Sequence, residues 1–434
     1  MKAFRADWIC PASSGPLRNA ALLVEGDRIE SVRAHVPAGV PVESFPGCAI
    51  IPGFVNVHTH LELTVLRGFL EGLSFADWIR TVTRAKYEHL GREDLGVSAR
   101  LGAAECLAAG VTTVGDVMDI GAGWEAMCEA GLSGIAYQEV FGPSREDAAA
   151  RMAELEAKLA RLGSSDQRRG GVSPHAPYTV SEALYREVGD LAARERLPIA
   201  LHIAESTAEG DFVRHGTGPF AELWNERRIP VERRGVGPVE YVADLGLLGP
   251  RTLAIHAIDV SPEDIARLHD SDTAVAHCPK SNLKLGHGIA PLRELMDAGV
   301  RVGLGTDSVA SNNVVDMFEE MRTAVFLQRA RRRDPSAVTA PEAFLLATLG
   351  GARCLDLASE VGSLERGKRA DFVVVDLGGL ATQPVYDPLD AMVFSANRSD
   401  VRATFLGGSR VVVDPGPLVR EAQAIAARLS DAAQ

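Results

Sequence analysis

Ile51-Pro52-Gly53-Phe54-Val55-Asn56-Val57 is a short, mostly apolar run, and His58-Thr59-His60 follows it directly. In an extended strand, residues i and i+2 project to the same face. The run therefore predicts a strand at 51–57 that ends in two imidazoles pointing together. Enzymes built from repeated strand–helix units carry their active sites at such C-terminal strand ends, and imidazole is a good ligand for zinc and similar metals. Taken alone, a pair of polar loop histidines reads the same way.

Working outward, similar apolar runs lie at 111–117, 133–141, 169–175, 198–204, 251–257, 273–278 and 300–306, with longer segments of helical period between them. Near-continuous apolar strands alternating with helices indicate a parallel sheet buried on both faces. Helix starts are signalled by Thr179 with Glu182, by Ser261 with Pro262 and Asp264, and by Thr339 with Glu342. Eight such repeats predict an α/β fold, a TIM-type (β/α)8 barrel over residues 51–360. A doubly wound open sheet is the alternative, weakened because no GxGxxG turn follows the first strand. The ends of the chain read differently. The hairpin signal Ala21–Ile29 and the short strands at 371–376 and 403–413 predict a small β-sandwich domain, discontinuous over 1–50 and 361–434.

The chain has 434 residues, 46% of them hydrophobic, and a net charge of −13. Such acidity disfavours nucleic acid as a partner. No stretch of 18 consecutive apolar residues suggests a membrane span, and the segment Met1–Asp7 has no apolar core of a signal peptide. Six cysteines without CxxC spacing suit a reducing, cytoplasmic setting. The expected partner is a small-molecule substrate, with homo-oligomerisation left open.

Further ionisable residues end strand-like runs: His202 after Ile199-Ala200-Leu201, His256 after Thr252–Ile255, and Asp307 after Val302–Thr306. Unpaired polar groups are costly inside apolar strands, so their recurrence at matching barrel positions predicts a mononuclear metal site. Asp307 could alternatively cap a helix. Glu205, three residues beyond His202, should reach the site without ligating; the alternative is a solvated or capping carboxylate. His175 closes another strand, and ligand binding and structural hydrogen bonding are equally open to it. His277 and Cys278 read as structural or supporting. Trp78 reads as core or as the apolar wall of a substrate pocket.

At these residues the sequence resembles the amidohydrolase superfamily, in its metal-dependent aminohydrolase branch. The matching motifs are Pro52–Asn56 leading into His58–Leu61, His202-Ile203-Ala204-Glu205, His256, Ser281–Leu285, Gly288–Pro291, Gly305-Thr306-Asp307-Ser308 with Ala310–Asn313, and Gly362–Asp371. Within it, the chain is most similar to deaminases of adenine nucleosides, the methylthioadenosine/S-adenosylhomocysteine and 6-aminodeoxyfutalosine groups. The resemblance implies one divalent ion, zinc first with Fe2+ or Mn2+ as alternatives, held by His58, His60, His202 and Asp307. It implies Glu205 and His256 as catalytic partners and His175 as a substrate contact. The methylthioadenosine group usually has Leu-Pro-Met-Thr after the paired histidines, whereas this chain has Leu61-Glu62-Leu63-Thr64. Glu62 is more like the aminodeoxyfutalosine enzymes and is expected at the pocket mouth, accepting hydrogen bonds from ribose hydroxyls or a polar ring edge; a surface or helix-start carboxylate is the other reading of it. The usual ribose-binding glutamate downstream of Trp78 has no clear counterpart; Glu88 is near.

The implied reaction is hydrolytic deamination of an aminopurine nucleoside, 6-aminodeoxyfutalosine or another 5′-modified adenosine, with release of ammonia. Asp307 and Glu205 would carry catalytic proton transfers, and His256 would steady the water. Hydrolysis of another cyclic substrate, such as guanine or a triazine, is the rival reading. A non-catalytic binder would have no need of Glu205 and His256.

Overall fold

Eight strands, each followed by helical segments, run parallel and pair in chain order: β1 (Phe54–Thr59), β2 (Val111–Met118), β3 (Ser133–Val140), β4 (Arg168–Pro174), β5 (Ile199–Ile203), β6 (Thr252–His256), β7 (Ala274–His277) and β8 (Val302–Leu304). The computed structural model describes residues 1–432. Every residue of β1, β2, β3, β5, β6, β7 and β8 is buried, as a parallel sheet wrapped in helices requires. The (β/α)8 barrel is therefore as expected.

Side chains draw the first and last strands together. Asn56 Nδ2 donates to Thr306 Oγ1 at 2.8 Å, and Thr306 N donates to Asn56 Oδ1 at 2.9 Å. Asp307 N donates to His58 O at 2.9 Å. Two glycines allow this approach: a Cβ on Gly303 would fall 2.6 Å from Val57 Cγ1, and one on Gly305 would fall 3.0 Å from His58 N.

Both ends of the chain build a second, mixed sheet. Strand Val42–Pro52 lies parallel to Lys2–Ile9 and antiparallel to Phe372–Asp376, so it joins the two ends. Phe4 and Phe405 sit three strands apart, which on a flat sheet is about 14 Å. Their ring centroids are 5.1 Å apart. The sheet thus curls over an aromatic core of Phe4, Phe45, Phe372 and Phe405.

Two local expectations change. The run 51–57 is divided: Ile51 pairs with Val373 in the terminal sheet, and the barrel strand begins at Phe54. The helix expected to start at Thr179 is capped by Ser181, whose hydroxyl accepts from Leu184 N. The helices capped by Ser261 and Thr339 start as expected, each with a reciprocal capping box. The C-terminal stretch also contains a helix, Gly416–Ala432. Its Ile425 and Leu429 pack in one cluster with Leu66, Trp78 and Val82, beside the barrel's C-terminal end. No helix among the described residues is long and apolar enough to cross a membrane.

Candidate active site

The ionisable strand ends converge. His58 and Thr59 end β1 and His60 follows; His202 is in β5, His256 ends β6 and Asp307 comes three residues after β8. His58 Nε2 is 3.2 Å and His60 Nε2 3.6 Å from Asp307 Oδ1. The ring centroids of His58 and His60 are 4.8 Å apart, and those of His58 and His202 are 5.0 Å apart. Three donor groups meet tightly enough to hold an ion, His58–His60–Asp307, His58–His202–His256 and Glu139–His175–His202, and the first two share His58.

The electrostatics suit a divalent cation. Burial lowers the proton affinity of His58, His60 and His202, keeping the rings neutral with lone pairs available. Burial alone would raise Asp307, but the imidazoles of His58, His256 and His60 around it outweigh this and keep it well below the usual carboxylate range. Both ring nitrogens of His58 are buried without a hydrogen-bond partner, which an ion would remedy. His202 Nδ1 lies 3.3 Å from His175 O; donating there leaves Nε2 for a metal, the usual arrangement around ligating histidines. Ser281 and Ser311 donate to Asp307 Oδ2 at 2.5 and 2.9 Å, and Ser308 N donates to Oδ1 at 2.6 Å.

Backbone strain gathers at the same strand ends. Ala204, His256, Ala257 and Asp307 all have positive φ, from 46° to 76°. Non-glycine residues adopt this region at a cost and cluster at functional sites when they do.

Glu205 lies beside the histidine cluster. Its Oε1 is 3.5 Å from His256 Nε2 and 3.5 Å from His287 Nε2. Burial would raise its proton affinity, yet His256 and His287 bring it below the ordinary value. His256 Nδ1 donates to Asn282 Oδ1 at 2.9 Å, which turns Nε2 toward the site as a lone pair. Glu209 accepts from Ala204 N and Glu205 N at 2.9 and 2.8 Å, fixing the turn that carries Glu205.

A cavity of about 870 Å³ opens from this cluster. Trp78 is 8% exposed, lines the cavity and belongs to the apolar cluster behind it. His175 also lines it. Its Nδ1 donates to Thr179 Oγ1 at 2.7 Å, and burial lowers it to about 3, so it is neutral. Glu88 is exposed at the rim. His277 and Cys278 are fully buried behind the site, and burial lowers His277 to about 3.

Of its two readings, Glu62 is placed as the helix-start carboxylate rather than with oxygens free for a ribose. It is 2% exposed and borders the cavity, but both oxygens accept from backbone N–H groups: Asp119 and Ala122 at 2.8 Å, Ile120 at 3.2 Å and Gly123 at 3.4 Å. A carboxylate is favourable there because the segment opens the helix Ala122–Ala130. Glu62 thus fixes the turn after β2. Sequence reasoning missed Glu139, Lys86 and His287. The signal for Glu139 was available, since it too is a charged residue near the end of an apolar strand.

A (β/α)8 barrel with histidines and an aspartate gathered at its strand ends, and a buried carboxylate beside them, defines the class of barrel hydrolases that activate water at a metal. The chain belongs to the amidohydrolase family, which it matches over residues 49–411. It is 33% identical to the 5-methylthioadenosine/S-adenosylhomocysteine deaminase of Moorella thermoacetica over 92% of this chain and 91% of that one. It is 34% identical to the 5′-deoxyadenosine deaminase of Methanothermobacter thermautotrophicus, over 93% and 92%. The crystal structure of an adenosine deaminase from Xanthomonas campestris with bound zinc superposes with a TM-score of 0.86 at 29% identity, covering 99% of this chain and 98% of that one. The chain is a hydrolase of carbon–nitrogen bonds other than peptide bonds, acting on a small molecule.

Proposed function

We propose that this protein deaminates an aminopurine nucleoside hydrolytically, giving the 6-oxo product and ammonia, with 6-aminodeoxyfutalosine or another 5′-modified adenosine as substrate. The observation that carries the reading is the position of Glu205. It is a buried carboxylate between two imidazoles, next to the ligand cluster and on the cavity wall. There it can exchange a proton with a ring nitrogen next to the reacting carbon. The adenosine-type deaminase names of the relatives support the same substrate class.

His58, His60, His202 and Asp307 would hold the ion. When bound, a divalent metal, zinc first, supplies a Lewis acid that brings the pKa of water from 15.7 to about 7. Glu205 rests ionised, so it first accepts a proton from the attacking water and then delivers it to the ring nitrogen. The oxygen adds to the carbon bearing the amine, giving a tetrahedral centre. Asp307 takes the remaining proton from that oxygen and passes it to the amine, the carbon–nitrogen bond breaks, and ammonia leaves. His256 Nε2, fixed by Asn282, accepts a hydrogen bond from the water and sets its direction of approach. His175 and Trp78 line the space for the purine.

The six free cysteines fit a cytoplasmic setting for such an enzyme. The test is kcat/KM for 6-aminodeoxyfutalosine, methylthioadenosine, 5′-deoxyadenosine, adenosine, guanine and a chlorotriazine, read by ultraviolet absorbance and ammonia release. Preference for a 5′-modified adenosine is expected. Preference for guanine or the triazine, or no turnover of any adenosine derivative, overturns the reading.

A further inference from the structure

The cavity has a second polar region that takes no part in the proton transfers. Glu139, near the end of β3, is 5% exposed on the cavity wall. Its Oε1 has no hydrogen-bond partner and lies 4.0 Å from His175 Nε2, beyond hydrogen-bond range. A buried carboxyl oxygen left unpaired is costly, and such groups are rare enough in folded proteins to call for a partner. Burial pushes Glu139 up to about 8 against the lowering pull of Lys86, as befits a carboxyl short of donors.

Lys86 borders the same cavity. Its Nζ is 3.0 Å from Asp119 Oδ2, while Lys158 Nζ is 3.1 Å from Asp119 Oδ1. Tyr87 Oη donates to the same carboxylate at 2.6 Å. An ammonium group has three N–H bonds, and Asp119 accounts for one on Lys86. The ion pair described for Lys86 goes to Asp119, not to Glu139, so the ammonium and the Glu139 carboxyl border one cavity as separate groups.

Hydrogen-bonding chemistry selects what could join them. Glu139 Oε1 lacks a donor, while Lys86 has N–H bonds left to give. A group with several hydroxyls meets both needs, because each hydroxyl can donate to the carboxyl oxygen and accept from the ammonium. The location agrees. Glu139, His175 and His202 each offer an atom within 4.8 Å of the others, so Glu139 borders the ligand cluster on the cavity wall.

We propose that Glu139 and Lys86 are a specificity-determining pair that binds the vicinal hydroxyls of the substrate's ribose. The proposal rests on the nucleoside reading above. It moves the sugar contact from Glu62, whose oxygens are held by backbone, to a carboxyl whose oxygen is free.

The test compares kcat/KM for adenosine and 2′,3′-dideoxyadenosine in the wild type, Glu139→Gln, Glu139→Ala and Lys86→Met, all loaded with zinc. The ratio is taken within each protein, so a misfolded fraction cancels. The wild type should prefer adenosine by at least about 10²-fold, since a site built to bind hydroxyls strongly rejects an analogue lacking them. The preference should fall below about tenfold in Glu139→Ala and Lys86→Met, with Glu139→Gln between. Calorimetric binding of inosine and 2′,3′-dideoxyinosine gives the same ratio for any variant too slow to assay. An unchanged ratio in both Glu139→Ala and Lys86→Met, with a wild type that does deaminate adenosine, overturns the pair and leaves the nucleoside reading standing. A wild type that turns over no nucleoside overturns both.

Discussion

His287 Nε2 stands 3.5 Å from Glu205 Oε1, the same distance at which His256 Nε2 meets that oxygen. One carboxylate oxygen therefore faces two imidazoles, which bring it below its ordinary proton affinity. Glu205→Gln keeps the shape but cannot relay a proton. Turnover should fall by at least about 10²-fold, the usual scale of general acid–base catalysis, with metal content unchanged. Near-normal turnover would remove Glu205 from the reaction.

His287→Asn should act through Glu205. With one of the two groups that lower its proton affinity removed, Glu205 becomes a stronger base, and the acidic limb of the kcat/KM profile should move to higher pH. A pH–rate profile of the metal-loaded variant checks this. An unmoved limb alongside a lower kcat would make His287 merely structural.

Metal content follows from the ligand geometry. Elemental analysis of purified protein should give one divalent ion per chain, and His202→Ala should lose it. Chelation should abolish activity, and added zinc should restore it. Two equivalents in the wild type would contradict a mononuclear site.

Asn56→Ala opens the contact between β1 and the turn after β8. It leaves the buried Thr306 N–H without its acceptor, a loss of about 1–3 kcal/mol, to be measured by denaturant unfolding. Because Asp307 follows Thr306, the variant should also release its metal faster to a chelator than the wild type does.

Glu320 supplies a pH test of stability. It accepts from Asn312 Nδ2 and from Lys280 N at 2.6 and 3.2 Å, and burial pushes it up to about 8, against the pull of Lys280. From its unfolded value near 4.5 up to about 8, the native chain holds this proton more tightly than the unfolded chain. Its contribution is thus complete below the unfolded value and is lost as pH rises through the folded one. Glu320→Gln carries no such proton. Between pH 5.5 and 8 the wild type should lose more thermal stability than the variant, by about 2 °C. An equal loss in both would contradict the expectation.

The barrel was legible because apolar runs ending in ionisable residues are rare without a reason, and His58, His202, His256 and Asp307 all follow that rule. What was hidden depended on groups distant in the chain. Glu62 looks like a residue at the pocket mouth until the backbone of 119–123 is seen against it. Thr179 has the right spacing to cap a helix, but its hydroxyl is engaged by His175 Nδ1, and Ser181 takes the role. The last strand, expected over 300–306, stops at Leu304 because the Asn56 side chain replaces the backbone ladder at Thr306. His287 follows no apolar strand, so its approach to Glu205 could not be read from the sequence.

The proposed ligands come from both edges of the barrel seam, His58 and His60 on one side and Asp307 on the other, with His202 across the barrel. An incompletely assembled chain cannot present all four together. An ion that binds only the finished fold draws the population toward it by mass action. Metal supply then influences how long each molecule survives proteases, so chains made under metal starvation should be degraded faster than chains whose site is filled.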